Sequence, residues 1–159
     1  MGVDPGLVET GYGVLEAGGH GVVLLDFGVV TTPGTAAIED RLHLLHAAVH
    51  GLLLRFAPAA LVLEDLYSEY KFPRTAIQMA HARGVICLAA RQLRVTLLPL
   101  TPTEVKRGVT ANGAASKAQV QRGVQRLLGL PRLPRPSHVA DALGLAVIGL
   151  SRLTGRLPG

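Results

Sequence analysis

Two short apolar segments of this chain end on a carboxylate: Gly2-Val3-Asp4, followed by Pro5-Gly6, and Leu61-Val62-Leu63-Glu64. A brief apolar run bounded by turn residues reads as a strand buried on both faces. An acid closing such a strand sits at a sheet end, where its charge must be solvated, paired or bound. A third segment, His138-Val139-Ala140-Asp141, opens a long apolar helical stretch. Residues three apart share one face of a helix, so this imidazole and carboxylate can reach one point. Strand ends and a helix start of this kind are what one α/β sheet can bring together.

Each of the four has an ordinary reading. Asp4 could start a turn before Pro5-Gly6. Glu64 could be a solvated strand end, Asp141 could complement a helix dipole, and His138 could be a surface histidine. Taken together they make an oxygen-rich donor set. Such sets hold hard divalent cations, Mg²⁺ or Mn²⁺, and those cations carry out phosphoryl chemistry.

The bulk composition narrows the function class. With 159 residues, 48% hydrophobic and 17% charged, the chain reads as one globular domain spanning residues 1–159. The net charge of +5 favours a polyanionic partner. Only six aromatic residues are present, none of them Trp, which disfavours binding of single strands by serial base stacking. The single cysteine, Cys87, rules out a disulfide framework and points to a reducing cytoplasm. The apolar run 142–150 is too short to span a bilayer, and no leader-like segment is read at the start, so no membrane association is expected.

Along the chain, strands are expected at residues 1–4, 11–17, 22–31, 60–64 and 95–100. Helices are expected at 39–56, 74–93 and 102–107, from about 117 to 128 with Ser116 as its N-cap, and to about 155 with Ser137 as the N-cap of the last. In the first helix Leu42, Leu45, Val49, Leu52 and Phe56 form a core stripe, flanked by His43, His46 and His50, read as a solvated row rather than a metal site. In the second, Ile77, Ala80, Gly84, Cys87 and Leu88 are read as facing inward, with Gly84 explained by a close backbone crossing. Between Glu64 and that helix, Tyr67, Tyr70 and Phe72 crowd into one loop. They form either a loop anchor or a wedge that contacts bases.

The order of these elements is that of a ribonuclease H-like fold: α/β, with a five-stranded mixed sheet flanked by helices. In such a sheet the first and fourth strands are neighbours, and the last helix packs across the same edge. The sequence resembles the RuvC family of Holliday-junction resolvases over essentially its whole length. The resemblance is carried by Gly2-Val3-Asp4-Pro5-Gly6 with Thr10-Gly11-Tyr12-Gly13-Val14; by Glu64 followed three residues later by Tyr67; by Ala82-Arg83-Gly84; by Val105-Lys106 with Lys117; by Gln119-Val120-Gln121; and by His138-Val139-Ala140-Asp141-Ala142-Leu143.

The resemblance implies a metal-binding catalytic set of Asp4, Glu64, His138 and Asp141 that uses Mg²⁺ or Mn²⁺, two ions per site. It implies DNA contacts by Tyr67 at the junction centre, by Arg74, and by Lys106 and Lys117 on phosphates. It further implies a homodimer acting on four-way junction DNA beside a branch-migration motor of the RuvA and RuvB type. Two other readings are open: a junction-binding protein without catalysis, and an actin-like phosphotransferase or ATPase, whose first phosphate loop Asp-Pro-Gly with Thr-Gly would resemble.

Overall fold

The computed structural model of the chain describes residues 1–19, 21–65 and 73–155. The strands are β1 (Gly2–Asp4), β2 (Glu9–Gly18), β3 (Gly21–Thr31), β4 (Ala60–Glu64) and β5 (Thr96–Leu100). The helices are α1 (Ile38–Phe56), α2 (Pro73–Gln92), α3 (Pro102–Thr110), α4 (Lys117–Leu127) and α5 (Ser137–Thr154). The strands form one mixed sheet in the order β3-β2-β1-β4-β5. β1, β2 and β3 are antiparallel neighbours, whereas β1, β4 and β5 run parallel. This is the expected ribonuclease H-like arrangement, with β1 and β4 side by side.

The central strands are apolar because both faces of the sheet are covered. Alternate residues of β4 point to opposite sides. Leu61 and Leu63 join Val3, Leu45, Val49, Leu53 and Ile86 under α1 and α2. Val62 joins Leu100, Val105, Val124, Leu143 and Val147 under α3, α4 and α5. The same parity fixes the two acids. Gly2 pairs with Val62, and Asp4 and Glu64 each lie two residues further along. Both therefore project toward the α5 side, at the C-terminal edge of two parallel strands.

Helix α5 reaches that edge by lying unusually close to the sheet. A methyl group at Gly2 would collide with the Ala142 carbonyl oxygen. One at Gly11 would strike the His138 carbonyl oxygen, and one at Gly13 would lie 2.5 Å from Leu143 Cδ2. Gly2 and Gly13 are register partners and Gly11 is two residues from Gly13, so the three share one sheet face. They form a shallow groove for the helix. Nearly every residue of α5 from Val139 to Gly149 is buried, which explains its apolar composition on all sides.

Three expectations are corrected. In α2, Ala82, Ile86, Ala89 and Ala90 face the core, while Ile77 and Leu88 are exposed, as are Ala80 and Gly84. Periodicity identifies a stripe but not which of two apolar stripes is buried, and here the small residues pack inward. Second, Gly84 has open space at its Cβ position, so no backbone crosses it among the described residues. Third, the N-cap of α5 is Pro136, and Ser137 is its first helical residue. By contrast Ser116 caps α4 as expected, in a reciprocal capping box with Gln119. Thr101 and Glu104 form a second such box on α3. No helix among the described residues is long and apolar enough to cross a membrane.

The glycine groove predicts contrasting effects for two small substitutions. Gly11→Ala should destabilise the chain by about 1–3 kcal/mol, because the helix backbone must move. For a chain of this size the thermal midpoint falls by ~2–4 °C per kcal/mol. Gly51→Ala, on an exposed turn of α1 with nothing near its Cβ position, should instead stabilise by about 0.5–1 kcal/mol. Thermal melts of both variants check this, and a neutral Gly11→Ala would remove the close-packing account of α5.

Candidate active site

Asp4 closes β1 and is held by the turn that follows it. The Thr10 hydroxyl donates to the Gly6 carbonyl at 2.6 Å, and the Gly6 N–H donates back to Thr10 Oγ1 at 3.3 Å. Deeper in, Arg41 Nε donates to Thr32 Oγ1 at 3.1 Å, and the Thr32 hydroxyl donates to the Leu7 carbonyl. Asp4, itself only 9% exposed, therefore sits on a loop pinned from two sides.

Strands and helices from both halves of the chain converge on one cleft of about 540 Å³. Its walls include Asp4 from β1, Glu64 from β4, His138 and Asp141 from α5, Lys106 from α3 and Lys117 from α4. His138 Nδ1 and Asp4 Oδ2 are 2.6 Å apart. Lys117 Nζ lies 4.0 Å from Asp141 Oδ2. Gln78 and Met79 of α2 and Glu9 of β2 complete the cleft.

The electrostatics are those of acids crowded out of water. Burial, and then the charges of Asp4 and Asp141, push the Glu64 carboxyl up to about 7, against the pull of Lys106 and Lys117. Asp141 is raised too, first by burial and then by Asp4, with Lys117, His138 and Lys106 opposing. His138 is raised chiefly by its hydrogen bond to Asp4, with burial working the other way and the charges of Asp4, Asp141 and Glu9 adding to the rise. Asp4, Glu9, Glu64 and Asp141 outnumber Lys106 and Lys117 in the cleft, an excess of negative charge that a divalent cation would offset. Oxygen donors with one neutral nitrogen suit Mg²⁺ or Mn²⁺, and both shifted acids are shifted in the direction that a bound cation reverses. Among the described residues no three His, Cys, Asp or Glu side chains stand close enough together to hold a metal ion as they are placed here, so binding a cation would draw these side chains inward.

Of the residues expected from sequence, Asp4, Glu64, His138, Asp141, Lys106 and Lys117 all line this cleft. Arg74 lies exposed in the first turn of α2 and is not in its wall. Tyr67, with Tyr70 and Phe72, lies outside the described residues. The histidine row on α1 stays a surface feature: His46 Nε2 is 2.8 Å from Gln92 Oε1, and its ring stacks on that of His50. Glu9 was not singled out from sequence, although it lies on the same strand face as Gly11 and so points toward the start of α5.

The raised carboxyl of Glu64 has a measurable consequence. Its ordinary value is 4.5, and in the folded chain it is about 7. Between those values the folded chain keeps a proton that the unfolded chain has released, so stability falls as pH rises through that window. Glu64→Gln removes this penalty. In the presence of a chelator the variant should exceed wild type by on the order of 1–3 kcal/mol near pH 8, and match it near pH 4. Urea denaturation at the two pH values measures the difference. Equal stability at the higher pH would contradict burial of this acid among like charges.

The family model described as "Crossover junction endodeoxyribonuclease RuvC" matches residues 1–149. A protein of that name from Ruminiclostridium cellulolyticum is 40% identical over 160 residues, covering 100% of this chain and 96% of its own length. One from Dictyoglomus turgidum is 41% identical over 147 residues, covering 92% of each. Among solved structures, Thermus thermophilus RuvC in complex with a Holliday junction substrate superposes with a TM-score of 0.87 at 33% identity, over 99% of this chain and 97% of that one. The yeast mitochondrial Holliday junction resolvase shares the fold at a TM-score of 0.65 and 14% identity, covering 91% of this chain and 74% of that one. A family model spanning residues 1–149 and relatives about 40% identical over nearly the whole chain place it plainly: this chain belongs to the RuvC family of crossover junction endodeoxyribonucleases.

Proposed function

We propose that this cleft hydrolyses DNA strands at four-way junctions, with Asp4, Glu64, His138 and Asp141 as the metal-binding catalytic set. The observation that carries the reading is the convergence of these four donors with two lysines in one cleft. The chain is a metal-dependent, structure-specific endonuclease acting in DNA recombination and repair, and residues 1–159 form its single nuclease domain. When bound, Mg²⁺ or Mn²⁺, two ions per cleft, activates water and stabilises charge on the scissile phosphate.

The protein's own groups supply the rest. Asp4 stands beside Glu64 at the sheet end and is hydrogen-bonded to His138, so these residues with Asp141 would hold the cations. Lys106 and Lys117 attract the phosphodiester irrespective of sequence and offset the acids' repulsion of it. The water oxygen forms the new bond to phosphorus as the bond to the 3′ oxygen breaks; the water's proton leaves to solvent and the departing 3′ oxygen takes one from solvent to become a hydroxyl. No side-chain nucleophile is required. Tyr67 acts at the junction centre, and Arg74, exposed at the start of α2, contacts the arms.

A four-way junction is close to two-fold symmetric, which favours a homodimer with paired clefts. The outer face of α2 supports this assembly. Ile77, Ala80, Gly84 and Leu88 form an exposed stripe of apolar and small residues at helical spacing. Such a stripe lets two helices pack closely. A motor of the RuvA and RuvB type drives branch migration beside the dimer, in the cytoplasm.

Two outcomes check this reading. Asp4→Asn should cut a four-way junction at least about 100-fold more slowly than wild type in Mn²⁺, the upper end of what groups merely supporting the ligands cost. It should still bind the junction at least as tightly, because removing a carboxylate lessens repulsion of phosphate. Wild type that binds without cutting would favour a purely junction-binding role, and ATP turnover would favour a phosphotransferase. Leu88→Glu should shift the chain from dimer to monomer in sedimentation; an unchanged dimer would place the subunit contact elsewhere.

A further inference from the structure

Glu64 is the last residue of β4, and its carboxylate can only be as well placed as the strand end that carries it. The β1–β4 pairing stops at Val3 and Leu63. On the other side the strand end is tied to β5, where the Asp65 N–H donates to the Leu100 carbonyl at 2.7 Å. The Glu64 carbonyl is taken by a side chain: Arg83 of α2 donates to it from Nη1 at 2.5 Å. The same guanidinium sets Nη2 3.8 Å from Asp65 Oδ1. The Arg83 side chain is only 19% exposed, and it is absent from the cleft wall. A hydrogen bond from a charged donor to a half-buried carbonyl is among the stronger kinds.

We propose that Arg83 is a positioning residue for the nuclease reaction: by fixing the Glu64 backbone it holds the Glu64 carboxylate in place beside Asp4. It acts from behind the site, reaching neither phosphate nor cation. Its planar fork spans the carbonyl and the neighbouring carboxylate at once. A lysine could keep only one of the two contacts.

The test uses the full chain with Arg83→Met, which keeps the apolar stem, and Arg83→Lys, which keeps one charged donor. Four quantities are measured against wild type: single-turnover cutting of a four-way junction in Mn²⁺, junction affinity with its salt dependence, Mn²⁺ affinity without DNA, and thermal midpoint. Arg83→Met should cut about 10–100-fold more slowly and bind Mn²⁺ more weakly, the range found when groups supporting metal ligands are removed. Its junction affinity and salt slope should match wild type, and Arg83→Lys should recover most of the rate.

Arg83→Met cutting at the wild-type rate would overturn the proposal. So would a parallel loss of junction affinity and salt slope, which would make Arg83 a phosphate contact. A fall in thermal midpoint with equal loss of rate in both variants would make its role merely structural and would also overturn it. The inference rests on the nuclease reading above. A wild-type chain that fails to cut would sink that reading, while the Mn²⁺ affinities would still decide whether Arg83 supports Glu64.

Discussion

Helix α5 lies against the sheet at a distance that only glycine allows, and the geometry of the cleft depends on that contact. Gly2 and Gly13 face each other across β1 and β2, and Gly11 lies directly beneath the start of the helix. A side chain at Gly11 would lift the turn that carries His138 and, one turn on, Asp141. Neither residue would then meet Asp4, which is fixed by its own short loop. The Thr-Gly-Tyr-Gly segment contributes no donor to the cleft. It contributes an absence of side chains, which brings two independent parts of the chain within hydrogen-bonding reach.

What the close approach creates is an unfavourable cluster. Three carboxylates face one another with limited access to water, and two of them are raised in consequence. In a site with no task this would be a net loss of stability, and functional sites are where such losses are tolerated. The surrounding cations offset it only partly. Lys117 stands 4.0 Å from Asp141, and its side chain is 78% exposed, so it remains free to meet a phosphate. The cleft therefore carries two kinds of electrostatic complement: an acidic floor suited to divalent cations and a basic rim suited to the DNA backbone. A modest net charge of +5 is enough for this, because the sign is separated locally.

Much of this was legible in the sequence. The acids at Asp4 and Glu64 were readable because each ends an apolar strand, and strand parity then sets the face they share. The spacing from His138 to Asp141 sufficed because a helix turn is a local quantity. Residues whose meaning is long-range were less readable. The inward face of α2 was assigned to the wrong stripe, since that through Ile77 and Leu88 and that through Ala82, Ile86 and Ala89 both repeat at helical spacing. Arg83 is nineteen residues from Glu64, and its bond to the Glu64 carbonyl has no sequence pattern. Glu9 precedes the strand expected at 11–17, and only the longer β2 puts it on the face toward α5. Tyr67 rests on resemblance alone.

The central claim is that Asp4, Glu64, His138 and Asp141 together hold divalent cations. Crystals grown with Mn²⁺, with anomalous scattering recorded at the manganese edge, test it most directly. Manganese peaks are expected within the cleft, in direct contact with oxygen or nitrogen atoms of Asp4, Glu64, His138 and Asp141. Manganese bound elsewhere on the chain, or a cleft in which Lys117 and His138 alone balance the acids with no peak present, would contradict it.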